Sequence, residues 1–312
     1  MASDSTARAF SEGRHRDGTW HTRVSDSASP FRRIPWNLIS LKRLGVDTLA
    51  RNTRAESCGL DLGCGNGAYA HWFAGRTPAT IVAADWSLLA LQNSRPARRG
   101  SILRVCCDAR ALPFPEGRFD FAYTVDALGH IPGSDAALDE LSRVVKPGSA
   151  LFVHSECRDH EKRWPDRRLI ERLGKDSMIR HDGHIGVRWS AELYQALRRR
   201  FLVESFISPA GVLAWLIGYP EKYHSLFKEA GWRLPAMVTG VLAFLKAAPV
   251  LGAVLRFANA VSNRIELFFG LVGGGSCFAF IRKPVPTGGD RDAPAGRVPS
   301  TSREQPAGTR HP

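Results

Sequence analysis

Little in this 312-residue chain assigns it at once. Its six cysteines, Cys58, Cys64, Cys106, Cys107, Cys157 and Cys277, form no Cys-x-x-Cys pair and no Cys/His cluster at zinc spacing. That pattern argues against a disulfide framework and against a metal site. No internal repeat is visible, and the opening MASDSTARAF lacks the apolar core of a secretory signal, so a reduced, cytoplasmic protein is expected. Acidic residues are in deficit, with 43 Lys and Arg against 30 Asp and Glu, a formal charge of +13 that suggests anionic partners. Residues 1–30 and 284–312 have too few aliphatic side chains to offset the entropy of ordering and are expected to be disordered.

Between those ends, short aliphatic runs alternate with helical stretches, which is the pattern of βαβ units and a parallel sheet. Strands are expected near 57–62, 80–85, 102–107, 119–124 and 149–154, with helices near 67–75, 87–95 and 134–146. In the last of these Ala137, Leu138, Leu141 and Val144 share a face, and Lys146-Pro147-Gly148 ends it. Residues 190–200 read as a further helix, 201–207 as a sixth strand and 276–283 as a last one.

The first strand runs into Asp61-Leu62-Gly63-Cys64-Gly65-Asn66-Gly67, a turn whose glycines let a ligand approach backbone N–H groups and a helix N-terminus. Alone the turn is weak, and with Ala68 it even satisfies the dinucleotide pattern G-x-G-x-x-A. Its context is stronger. Asp85 ends the second strand 24 residues after Asp61, where a carboxylate can accept both hydroxyls of a ribose, and Trp86 beside it can lie on a purine. Asp108 follows the third strand. Asp61, Asp85 and Asp108 thus fall at one sheet edge, the edge where open α/β sheets bind ligands. At a strand end, Asp85 is expected to face solvent and to add little to stability.

The segments LDLGCGNG, AADWS, CDARALPFPEGRFDFAYTVDALGHI and ELSRVVKPGSALFV, in this order and spacing, resemble the class I S-adenosylmethionine-dependent methyltransferases. Within them the likeness is to the small-molecule and lipid group ("methyltransferase type 11") that includes the quinone-biosynthesis enzymes. The resemblance covers about residues 57–155. It implies a Rossmann-like, seven-stranded doubly wound sheet with an antiparallel last strand, and S-adenosyl-L-methionine as cofactor. It further implies that Asp61, Gly63, Cys64, Gly65 and Gly67 hold the methionyl end, Asp85 the ribose and Trp86 the adenine face. Asp108 with the Ala109 amide would read the adenine, and Thr124 and Asp126 would line the methionine side. Where the family often has two histidines this chain has Gly129-His130, and where it often has Pro-Gly-Gly it has Pro147-Gly148-Ser149.

A sulfonium methyl is already activated, so positioning supplies most of the rate and a base is needed only for an acceptor that must lose a proton. His130 ranks first as that base, ahead of His154 with Glu156, and Asp126 stands on the same edge. The domain is expected to comprise 31–207 and 276–283. Residues 208–275, inserted between a parallel sixth strand and an antiparallel last one, must emerge over the carboxyl edge as a lid. Leu234–Leu255 holds Lys246 as its only charge, with Pro249, Gly240 and Gly252 weakening a helix; a spanning helix, a membrane-surface helix and a buried helix are all open. A basic, apolar lid suits a lipid-like acceptor (isoprenoid, quinone or lipid) and peripheral contact with the inner face of the membrane; a soluble natural product or sugar is the alternative. Residues 157–188 carry nine Lys/Arg against six acids, readable as a solvated helix or as an anion-recognition arm. Nucleic-acid methylation is disfavoured: Thr124-Val125-Asp126-Ala127 replaces the Asn/Asp-Pro-Pro-Tyr loop and no cysteine follows a proline. An NAD-dependent oxidoreductase lacks a hydride-transfer constellation.

Overall fold

The computed structural model describes residues 41–94, 101–174, 183–269 and 273–286, with isolated positions near the N-terminus. Of the segments expected to be disordered, 1–30 apart from those isolated positions and all of 284–312 beyond residue 286 lie outside the described residues, as does the middle of the basic stretch 157–188.

Seven strands form one sheet: β1 (Cys58–Leu62), β2 (Thr80–Asp85), β3 (Ser101–Cys106), β4 (Phe119–Val125), β5 (Val145–Glu156), β6 (Leu202–Ile207) and β7 (Ser276–Arg282). Their order is β3-β2-β1-β4-β5-β7-β6. The first five pair in parallel, and β7 lies antiparallel between β5 and β6. Every residue of β1 is buried, as a central strand covered on both faces requires. Alternate side chains supply two cores. Leu60, Leu62, Val82, Leu151 and Val153 pack with α4 (Ser134–Val144) and α6 (Ser190–Arg198). Ile81, Phe121, Tyr123 and Phe152 pack on the other face with α1 (Leu41–Arg51) and α2 (Ala68–Ala74). This period of two, buried on both sides, is what the aliphatic runs encode. A short α3 (Leu88–Gln92) is capped by the Ser87 hydroxyl, which accepts from the Ala90 N–H.

The described residues between β6 and β7 form a short π-helix (Ala214–Gly218) and three α-helices, α7 (Pro220–Glu229), α8 (Arg233–Ala247) and α9 (Pro249–Phe268). With α5 (Asp166–Leu173) they share a small core of Leu169, Tyr223, Leu226, Phe227 and Ala236. The apolar stretch 234–255 is not one helix. Ala248 is extended, and α8 and α9 meet at 116°. Pro249 explains the elbow: it has no N–H to continue the ladder and excludes the helical conformation from the residue before it. Among the described residues no single helix is long and apolar enough to cross a membrane, although this bent pair passes the same test of length and composition.

Candidate active site

The carboxyl ends of the parallel strands open into a cavity of about 760 Å³. Its floor is the glycine turn after β1. Gly63, Gly65 and Gly67 all have positive φ, at 72°, 53° and 73°, which side chains other than glycine rarely adopt. A Cβ at Gly63 would run into the Ala127 side chain, so the turn packs against the β4 loop only because that position is bare. The Gly63 and Cys64 N–H groups donate to the Ala84 carbonyl at 2.8 and 3.1 Å, tying the turn to β2.

Asp61, Gly63, Cys64, Gly65, Asp85, Trp86, Asp108, Ala109, Asp126 and His130 all line this cavity. Asp61 is buried, and its Oδ2 accepts no hydrogen bond. Burial lifts its carboxyl to about 8, against the pull of the Tyr123 hydroxyl. Asp85 does not simply face solvent: one carboxylate oxygen accepts from the Gly65 N–H at 2.8 Å and the other from the Ser87 N–H at 2.9 Å. It therefore shapes the loop as well as offering lone pairs to a ligand, and burial raises its pKa against those two donors. Asp108 is held by Arg110 through the guanidinium and by the Arg110 N–H at 2.8 Å. Gly67, Thr124 and His154 are not on the cavity wall: Gly67 precedes α2, while Thr124 and His154 are fully buried.

Asp126 is the sole described non-glycine residue with a positive φ, 59°. Aspartate tolerates this conformation better than most side chains. Both its carboxylate oxygens accept from Lys42 Nζ, at 2.6 and 2.7 Å, and His154 Nδ1 lies 2.8 Å from Oδ1. Burial alone would raise the Asp126 pKa; the Lys42 ammonium and His154 outweigh it and hold the carboxylate well below its usual range. Asp126, His154 and Glu156 carry donor atoms within 4.8 Å of one another, a set a metal could use, but the Lys42 ammonium already takes both Asp126 oxygens.

His130 stacks on His184 with ring centroids 4.3 Å apart, and its Nδ1 lies 3.4 Å from the Gly183 carbonyl. Burial and the neighbouring imidazole push its pKa down to about 4, so at neutral pH it is an uncharged imidazole. His184 Nε2 is 3.5 Å from a Glu156 carboxylate oxygen. Trp164 and Trp215, edge to face at 4.8 Å, and the Asp166–Tyr223 pair at 2.8 Å also line the cavity. Lys42, His160, His184 and Asn259 are wall residues that no motif in the sequence marks. Each reaches the cavity from an element distant in the chain.

Strand order and antiparallel β7, the glycine turn and the acid at each strand end together define the class I S-adenosylmethionine-dependent methyltransferase fold. Residues 60–153 match the model of a methyltransferase domain family. It is 32% identical over 123 residues to the ubiquinone/menaquinone biosynthesis C-methyltransferase UbiE of Cupriavidus necator, covering 38% of this chain and 48% of that one. It is 23% identical over 232 residues to cycloartenol-C-24-methyltransferase of Arabidopsis thaliana, covering 69% of this chain and 66% of that one. The crystal structure of the [4+2]-cyclase SpnF shares the fold with a TM-score of 0.54 at 18% identity, over 90% of this chain and 97% of that one. The chain spans about a third to a half of the length of the first curated relatives it matches.

Proposed function

We propose that this protein transfers a methyl group from S-adenosylmethionine to a small, lipid-like acceptor bound under the lid formed by residues 208–275. The observation that carries the reading is one cavity in which the glycine turn and three strand-end acids meet a lid with aromatic walls. The cofactor supplies a methyl group already activated on a sulfonium. The residues present suit it. The unsatisfied Asp61 Oδ2 is placed for an ammonium donor, and the bare Gly63 and Gly65 positions leave the backbone open to close approach. Each Asp85 oxygen keeps a lone pair for a ribose hydroxyl after accepting its backbone N–H. Trp86 offers a ring face for adenine, with Asp108 and the Ala109 amide beside it. On the acceptor side His130 is neutral and can take a proton from a hydroxyl or amine, while His184 sets its ring plane by stacking.

The lid also supports contact with a lipid surface. On α8 the inward residues Ala236 and Thr239 are small, whereas Leu234, Met237, Val241 and Phe244 are exposed at helical spacing. On α9 Val250, Val254, Phe257, Ile265 and Phe268 continue an exposed apolar series. A surface helix of a protein that only meets water normally turns such a stripe inward. Arg233, Lys246, Arg256 and Arg264 lie along the same two helices, a composition suited to anionic headgroups. Parallel calorimetric titrations with S-adenosylmethionine and NAD test the cofactor reading: binding of the first alone is expected, and binding of NAD alone overturns it. Mass spectrometry of lipid extracts with and without the gene is expected to show a shift of one CH₂.

A further inference from the structure

We infer that the acceptor carries several hydrogen-bond donors, hydroxyl or amino, in the part that lies beneath the lid; this rests on the methyltransferase reading and narrows its substrate class. Besides Asp61 Oδ2 at the glycine turn, three acceptor atoms belonging to residues of the cavity wall are buried and receive no hydrogen bond from the described protein: Glu156 Oε2, with His184 Nε2 no nearer than 3.5 Å, His160 Nε2 and Asn259 Oδ1. They come from separate elements, the end of β5, the turn after it and the lid helix α9, which converge on the one cavity.

The His160 ring settles its own role. Its Nδ1 is 2.8 Å from the Cys157 carbonyl, and a carbonyl can only accept. Nδ1 therefore carries a proton, and in that tautomer Nε2 keeps a lone pair. Nearby acids of the same wall are already supplied with donors: Asp166 accepts the Tyr223 hydroxyl at 2.8 Å and Asp126 accepts Lys42. Glu156 faces His184 Nε2 at 3.5 Å, longer than an ordinary hydrogen bond, and His160 Nε2 and Asn259 Oδ1 accept none. Leaving buried acceptors unpaired is unfavourable, whereas a ligand that brings donors recovers that free energy on binding. A ring with acceptors only, such as an oxidised quinone, would set its oxygens against these three atoms. A hydroxylated or aminated head matches them, with its apolar body against Trp164 and Trp215.

The test uses the full chain loaded with S-adenosylhomocysteine and three probes below their micelle concentrations: octyl glucoside, its 2-amino analogue and its tetra-O-methyl ether. Calorimetry is expected to show the methylated probe binding at least about tenfold more weakly than the better of the other two, the equivalent of one to two net hydrogen bonds. The first two arms separate a hydroxyl source of the donors from an amino one. In Asn259→Leu, and separately in His160→Phe, the gap is expected to narrow while S-adenosylhomocysteine affinity stays unchanged. The melting temperature of free Asn259→Leu is expected to hold or rise, because an unpaired buried acceptor has been removed; a merely structural amide would give a fall. Equal affinities, a preference for the methylated probe, or no binding of any probe overturns the inference while leaving the cofactor site standing. Failure of S-adenosylhomocysteine itself to bind overturns the methyltransferase reading first and this inference with it.

Discussion

Lys42 Nζ grips both carboxylate oxygens of Asp126, a residue 84 positions further along the chain, at 2.6 and 2.7 Å. The pair ties α1 to the loop after β4 on the cavity wall. Lys42→Met is expected to lower stability by about 1–2 kcal/mol at pH 7, less than a fully buried pair because both side chains keep some solvent contact. The folded Asp126 carboxyl lies below its unfolded value, so the pair stabilises above about pH 4 and is lost as pH falls through the folded value. Denaturant titrations of both proteins at pH 7 and pH 3 should show the gap closing in acid; a gap that widens contradicts the ion pair.

Asp61 titrates in the opposite sense. Its folded carboxyl is raised to about 8, so near pH 7 the folded protein keeps a proton that the unfolded chain has released. Stability therefore falls as pH rises from about 4 to 8 on account of this group. An incoming ammonium favours the carboxylate and expels the proton. Calorimetry of cofactor binding at pH 7 in phosphate and in Tris should reveal release of up to about one proton, absent in Asp61→Asn.

Asp85→Ala is expected to cost both function and stability. Removing the carboxylate frees the Gly65 and Ser87 N–H groups, a loss of about 2 kcal/mol for two charge-assisted bonds at a partly exposed position, together with cofactor binding. Thermal melts and cofactor titrations read the two effects separately. Wild-type stability without cofactor binding would confine Asp85 to the ligand.

His130→Ala should reduce turnover by about 10²-fold or more with cofactor affinity nearly intact. Because burial holds the imidazole near a pKa of 4, the wild-type rate should show no His130 titration between pH 6 and 8. A pH profile that breaks near 6.5 and flattens in His130→Ala would show a solvated imidazole instead.

Phe244→Glu with Phe268→Glu alters side chains that are 80% and 85% exposed, so the melting temperature should hold. Flotation with anionic vesicles is expected to recover the wild type and lose the double variant. Raising the salt should weaken the electrostatic share and spare the apolar one. Wild type that stays with the soluble fraction in both salts removes the lipid surface from the reading.

The strands and the acid-lined glycine turn at the sheet edge were legible because their determinants are local. Leu60 and Leu62 need only a buried strand, and Gly63 and Gly65 need only a turn that no Cβ tolerates. The elbow was half legible, since Pro249 was visible inside the apolar run but the geometry it imposes was not. Lys42, His160 and His184 were silent for a different reason: each acts through a partner set by the tertiary fold, and no spacing announces that partner. Asp85 misled in one respect. It was expected to face solvent and add little to stability, whereas its carboxylate oxygens accept the Gly65 and Ser87 N–H groups.

The position of β7 between β5 and β6 has a mechanical consequence. The chain leaves the sheet at Ile207 and returns at Ser276, both on the half of the sheet away from β1–β3 and the glycine turn. Glu266 on α9 accepts the Gly211 and Val212 N–H groups at 2.6 and 3.0 Å, clasping the departing segment to the last lid helix. The inserted segment is thus attached at one side and buckled to its own stem. Under the proposed function, insertions or rearrangements within residues 213–265 would reshape the acceptor chamber without drawing on the register of β1–β4, so acceptor choice and cofactor grip would be tunable as separate parts of one chain.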